Sequence, residues 1–252
     1  MPGYRTQQQR IVIAGVGDLV IRSLLDRQQF FDPIGAAARR GISSATWPLF
    51  GVLWPSGVQL AERLAARPVY TGERILEIGC GLALASLVGH RRGADVTASD
   101  CHPLAAYFLA ENLRLNGLAP MKYRYGLWAE PTAPEPTVPA PIALRAADDA
   151  QEPRPVRGRY DLLIGSDVLY ERDADGALAG FIARHAAPGS EVWIVDPNRG
   201  NRAAFNARMA GHGFSGREDR LDCPASATAA AYKGRLLTFR RGSAPVFPAE
   251  PE

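Results

Sequence analysis

The chain has 252 residues, room for one large domain or two small ones, and its 29 Lys and Arg against 26 Asp and Glu leave a net charge of +3. That balance excludes a binder that tracks nucleic-acid phosphates through a broadly basic surface. A hydrophobic share of 46% with 22% charged residues excludes global disorder and fibrous classes.

The N-terminal MPGYRTQQQR carries charge and Gln but no apolar run, so no signal peptide is read and a cytoplasmic location is expected. The following IVIAGVGDLVIRSLL reads as a hairpin, or a strand and a helix, around Gly15 and Gly17. As a dinucleotide loop it has Val20 where the third glycine belongs and no acid at a strand end about twenty residues on, so a hairpin turn is preferred. Gly41 to Ala61 is uncharged, but Pro48, Pro55 and three glycines interrupt it, giving a buried turn and a helix start instead of a membrane span.

From Arg74 short apolar runs alternate with helical patterns, the βαβ signature of a mostly parallel sheet covered on both faces. RILEIG (Arg74 to Gly79) is a buried strand, and LALASLVGHRR (Leu82 to Arg92) is an apolar helix stopped at Gly93. DVTASD (Asp95 to Asp100) is a strand ending in an acid, Pro103 opens a helix with Leu104, Phe108 and Leu115 on one stripe, and MKYRYG makes a third, buried strand in which Lys122 sits. From Ala129 to Arg159 a Pro/Ala-rich insertion loses all periodicity and is expected to be mobile, with Ile142 to Leu144 as a local docking point. The sheet resumes with YDLLIGSD (Tyr160 to Asp167), a helix over Asp175 to Ala187, the strand EVWIVD (Glu191 to Asp196) and a helix over Asn201 to Ala210. Phe214 to Leu221 and Tyr232 to Arg240 are expected to pair antiparallel, because their connection is too short for a crossover helix.

Three cysteines, Cys80, Cys101 and Cys223, have no CxxC spacing, and the four histidines are scattered, so neither a disulfide framework nor a metal site is supported.

The turn Glu77-Ile78-Gly79-Cys80-Gly81 lies between a strand and a helix, and Asp100 ends the next strand 21 residues past Gly79. Glycine lets the chain turn sharply and lets a ligand approach the backbone, and an acid at the second strand end accepts two hydrogen bonds from ribose hydroxyls. Leu84 stands where a dinucleotide site needs its third glycine, so a ribose ligand without a pyrophosphate fits better; S-adenosylmethionine is the commonest such ligand. A plain strand-to-helix turn with a capping acid is the structural alternative.

ILEIGCG with the acid of VTASD resembles motif I and the acidic loop of the seven-stranded class I methyltransferases. FGVLWPSG (Phe50 to Gly57), SDVLY (Ser166 to Tyr170) and DPNR (Asp196 to Arg199) resemble the family containing protein-lysine methyltransferases and nicotinamide N-methyltransferase-like proteins, over roughly Ile42 to Arg240. The resemblance implies an α/β fold, a Rossmann-like three-layer sandwich whose seven-stranded, mostly parallel sheet ends in an antiparallel pair. It divides the chain into an extension (1–45), a methyltransferase domain (46–241) and a flexible tail (242–252).

It also implies S-adenosyl-L-methionine as cofactor, bound by Trp54, Glu77, Gly79, Cys80, Gly81, Asp100, Cys101, Trp128 and Ser166. Glu77 would pair the methionine ammonium, Asp100 hold the ribose, and Trp128 lie against adenine. Trp54 either packs over the cofactor or joins Trp47 and Phe50 in the core. Asp167 and Tyr170 are the implied catalytic pair, since the resumed strand ends at the same crevice; Asp167 accepts a hydrogen bond from the incoming amine and Tyr170 shapes its channel. Ser166 or Asp167 capping the next helix is the alternative. Arg199 holds the active-site loop or a substrate acid, or is a surface residue.

The expected activity is N-methylation of protein lysine. Methylation of a small amine, cofactor binding without turnover, and an NAD-dependent oxidoreductase are the alternatives, and no nucleic-acid or membrane partner is expected. The Leu82-Ala83 continuation departs from the glycine-richer run common in the family. Of the 29 basic residues only Lys122 and Lys233 are lysines, so appreciable automethylation is not expected.

Overall fold

The computed structural model describes residues 3–129, 154–170, 173, 175–225 and 231–242. Most of the Pro/Ala-rich insertion, including Ile142 to Leu144, and nearly all of the tail lie outside them.

The first glycine loop is the turn of an antiparallel hairpin, β1 (Thr6–Ile11) and β2 (Leu19–Leu24). Gly15 and Gly17 there have φ of 78° and 80°, which a residue with a β-carbon reaches only under strain. The free edge of β2 is covered by side chains. Asn112 and Asn116, one turn apart on α3 (Ala105–Leu115) and just past it, accept from the Arg22 and Val20 N–H groups at 2.7 and 2.8 Å. The amide of Asn116 also donates to the Val20 carbonyl, so each Asn imitates a missing strand.

Pro48 and Pro55 set the next segment. A 3-10 turn at Trp47–Gly51 leads into α1 (Pro55–Ala66), with proline in the first turn of each, where no intrahelical donor is lost.

The sheet follows the expected order with small shifts: β3 (Arg74–Ile78), α2 (Leu84–Arg91), β4 (Asp95–Asp100), α3, β5 (Lys122–Tyr125), β6 (Tyr160–Ser166), α4 (Ala177–His185), β7 (Ala186–Asp196), α5 (Arg202–Gly211), β8 (Phe214–Cys223) and β9 (Tyr232–Arg241). Its seven strands lie in the order β5-β4-β3-β6-β7-β9-β8. β3 to β7 run parallel, and β9 is antiparallel to both neighbours. Alternation along the strands sends Ile75, Leu162 and Ile164 to one core with α1, α2 and α3, and Leu76, Ile78, Leu163 and Val192 to the other with α4 and α5. This is the three-layer Rossmann-like sandwich.

Three expectations are corrected. β5 is the sheet edge, not a buried strand, so the Lys122 side chain is 56% exposed and is held by Asp95 at 2.6 Å. The insertion ends earlier than Arg159. Tyr125 donates to the Arg154 carbonyl and accepts from the Val156 N–H, both at 2.9 Å, and Val156 is buried in the second core. β7 begins at Ala186 instead of Glu191, because a register irregularity between Tyr160 and Leu162 on its partner absorbs Pro188 and Gly189. Among the described residues no helix is long and apolar enough to cross a membrane.

Candidate active site

From β3 the chain proceeds outward through β4 to β5, then returns to lay β6 on the other side of β3. The strand order therefore reverses between β3 and β6, and loops leaving their carboxyl ends diverge to opposite faces and open a crevice. A cleft of about 730 Å³ lies there, well within the size of small-molecule sites. All eleven residues singled out in the sequence line it: Trp54, Glu77, Gly79, Cys80, Gly81, Asp100, Cys101, Trp128, Ser166, Asp167 and Tyr170.

Two loops form the floor, and backbone bonds knit them together. The Cys80 N–H donates to the Ser99 carbonyl at 2.9 Å, and the Gly81 N–H to Asp100 Oδ2 at 2.8 Å. Asp100 Oδ1 accepts from the His102 N–H at 2.8 Å. Each carboxylate oxygen keeps lone-pair capacity for a ligand hydroxyl. At Gly81, φ is 52° and a β-carbon would stand 2.8 Å from the Phe50 carbonyl oxygen, so glycine is required by backbone shape and by space.

Glu77 is 3% exposed, and its Oε2 accepts from both the N–H and the hydroxyl of Ser86 in α2. Burial, opposed by the Ser86 bonds and aided by the Asp100 charge, pushes its carboxyl up to about 7. A ligand that carries an ammonium group draws the ionised form, so affinity for such a ligand is expected to rise as pH increases through about 7. Glu77→Gln should flatten that slope in calorimetric titrations at pH 6 and 8. The stability effect runs the other way. The folded chain keeps a proton that the unfolded chain loses near 4.5, so about 3 kcal/mol of unliganded stability disappears between pH 4.5 and 7.

The aromatic walls divide by burial. Trp47 is 1% exposed and belongs to the core, with Phe50 edge-on at 5.8 Å. Trp54 is half-buried on the cleft wall, oriented by its indole N–H donating to the Leu49 carbonyl at 2.9 Å, with the Arg27 guanidinium 5.7 Å over its ring. Trp128 is also half-buried, and its ring would lie 3.4 Å from a β-carbon on Gly79. His102 stacks on Phe50 with centroids 3.6 Å apart; burial and the Arg40 charge lower its pKa to about 3, so this wall presents a neutral imidazole.

Across the cleft, Ser166 ends β6 and Asp167 follows with φ 58°, its N–H donating to the Val195 carbonyl at 2.9 Å. The Asp167 carboxylate is 9% exposed. Arg199 reaches it from the loop after β7, and its Nε and a terminal nitrogen both donate to Oδ1, the former at 2.9 Å. The Arg199 loop is in turn anchored by Asp196 Oδ1, which accepts the Arg199 N–H at 2.7 Å. Tyr170 is 43% exposed at the mouth.

Neither Ser166 nor Asp167 caps α4. Asp173 does so, accepting from the Ala177 and Leu178 N–H groups at 2.7 and 3.1 Å. Arg199 was weighed in the sequence without a decision, and its ion pair with Asp167 removes the surface-residue alternative. His102 and Arg40, whose guanidinium donates to the Cys101 carbonyl at 3.2 Å, were missed. Nothing in the spacing of Arg40 marks it, because it comes from the extension upstream of the sheet.

The chain is 28% identical over 168 residues to the electron transfer flavoprotein beta subunit lysine methyltransferase of Danio rerio, covering 66% of this chain and 56% of that one. It is 21% identical over 178 residues to the EEF1A lysine methyltransferase 3 of Mus musculus, covering 70% and 62%. The chain is thus similar in sequence to protein-lysine methyltransferases. It spans about half the length of the curated relatives it matches first. No family model matches the chain. Its fold is shared with a solved methyltransferase from Pyrococcus furiosus (TM-score 0.51, 15% identity, covering 83% of this chain and 100% of that one). It is also shared with the magnesium protoporphyrin IX methyltransferase of Synechocystis, solved with bound S-adenosylmethionine (TM-score 0.51, 17% identity, covering 74% and 78%).

Proposed function

We propose that the chain is an S-adenosylmethionine-dependent N-methyltransferase that acts on protein lysine. The observation that carries this reading is the placement of three carboxyl groups around one cleft: Glu77 and Asp100 on the floor, Asp167 on the wall opposite. The donor set fits the cofactor. A buried carboxyl suits an ammonium, a second carboxyl at the end of β4 suits ribose hydroxyls, and the Gly81 N–H bonded to that carboxyl sets the turn beside it.

Glu77 and Asp100 would hold the two polar ends of the cofactor, while Trp54 and Trp128 would exclude water from its apolar faces. Gly79, Cys80, Gly81, Cys101 and Ser166 contribute backbone and small side chains along the cleft. When bound, S-adenosylmethionine supplies a methyl group activated by its sulfonium. Asp167 orients the acceptor nitrogen by accepting one of its N–H bonds, and Tyr170 borders the entrance. The exposure of Tyr170 and the lysine-methylating relatives favour a protein acceptor over a small amine.

Incubation with methyl-labelled cofactor and cell lysate tests this. Label is expected in protein, as methyl-lysine after hydrolysis. Label confined to small molecules would replace the acceptor class, and a protein that neither labels anything nor binds S-adenosylhomocysteine would end the reading.

A further inference from the structure

We propose that Arg199 controls the protonation of the acceptor amine: by pairing with Asp167 it lets that carboxylate accept a hydrogen bond from a neutral amine without holding the amine as a cation. The inference rests on the amine-methylation reading of the cleft and goes beyond it by giving Arg199 a positioning role in the reaction.

Methyl transfer needs a nitrogen lone pair. The N–C bond forms with that pair while the S–C electrons return to sulfur, giving S-adenosylhomocysteine and a methylated ammonium whose proton passes to solvent. A lysine amine has an ordinary pKa of about 10.4, so at neutral pH it arrives almost entirely protonated and unreactive. An unpaired, buried carboxylate beside it would make matters worse, since an ion pair raises the amine pKa further. A carboxylate already paired with a guanidinium does not, because the pair presents no net charge.

The geometry supplies that arrangement. Both Arg199 donors fall on Asp167 Oδ1, which leaves Oδ2 as the oxygen for an incoming N–H. Among the described residues no second cation pairs with Asp167. Its neighbours do not substitute for Arg199. Asp196, on the sheet side, is 0% exposed and occupied by the Arg199 N–H, with the Arg202 guanidinium 3.7 Å away. The Tyr232 hydroxyl, bonded to Ser56 at 3.0 Å and pushed up to about 12 by burial, stays neutral. On the cleft side, Glu77 is bound to Ser86 and Asp173 caps α4, while Tyr170 and Arg208 line the wall. A lysine in place of Arg199 could not fork onto one oxygen but would keep the charge.

The test uses two ligands that need no acceptor. One is S-adenosylhomocysteine. The other is sinefungin, the analogue carrying a primary amine where the sulfonium methyl stands. Calorimetry gives the ratio of their affinities for wild-type protein, Arg199→Met, Arg199→Gln and Arg199→Lys. Both neutral variants are expected to bind sinefungin about tenfold better relative to S-adenosylhomocysteine, as the ammonium meets an uncompensated Asp167, while Arg199→Lys stays near the wild-type ratio. The pH–rate profile of methyl transfer should move to higher pH in the neutral variants and stay in place in Arg199→Lys. An unchanged or lower sinefungin preference, with S-adenosylhomocysteine affinity intact, would overturn the inference alone. If wild-type protein binds neither ligand, the methyltransferase reading falls and takes this one with it.

Discussion

Asp167→Asn is expected to slow methyl transfer by about 100- to 1,000-fold while leaving S-adenosylhomocysteine affinity within about threefold of wild type. Asparagine is the informative replacement. At φ 58° it is among the few side chains tolerated without appreciable strain, and its carbonyl oxygen can still receive Arg199. What remains to face the acceptor is then an NH₂ group, a donor set against the amine's own N–H bonds. Because α4 is capped by Asp173, the substitution does not disturb that helix. Initial rates with labelled cofactor, set beside calorimetry, separate the two effects. A rate within about threefold of wild type would remove Asp167 from the acceptor site.

Asp100→Ala should lower S-adenosylhomocysteine affinity by about 30- to 100-fold, the scale of one or two hydrogen bonds to a charged group. Asp100 also braces the floor through the Gly81 and His102 N–H groups, so the alanine variant loses both the ligand contacts and the turn that frames them. Asp100→Asn divides these contributions. It keeps one acceptor and should weaken binding by about tenfold, with a smaller fall in melting temperature than alanine. Calorimetry showing Asp100→Ala within twofold of wild type would take the ribose-holding role from this residue.

How far the site was legible in the sequence depends on where each contact originates. Glu77, Gly79, Gly81 and Asp100 belong to one β3-α2-β4 unit, and their spacing alone brings them together: an apolar run, a glycine turn, an apolar helix, then a second run ending in an acid. The antiparallel end of the sheet was legible for a similar reason, since the short connection to Tyr232 allows no crossover. Contacts between distant loops were not. Arg199 and Asp167 are 32 residues apart, each just past the end of one of two adjacent strands, and their meeting depends on the β6-β7 register, which no local pattern encodes. Trp47 and Trp54 look alike in sequence; burial of the first and the Leu49 carbonyl on the second decide which faces the core. The capping acid of α4 was not singled out, because several polar residues precede the helix and only the turn geometry selects Asp173. Lys122 was read as buried because strand pattern does not reveal which strand is the edge.

The asparagine latch between α3 and the hairpin has a consequence for the exchange of amide hydrogens with solvent. A two-stranded hairpin on its own leaves every second amide of its outer edge open to water, and such amides exchange quickly. Here the Val20 and Arg22 hydrogens are held by Asn116 and Asn112, so they exchange only when the hairpin leaves the helix. Their exchange rate thus reports the opening of the contact between the N-terminal hairpin and α3, separately from unfolding of the sheet.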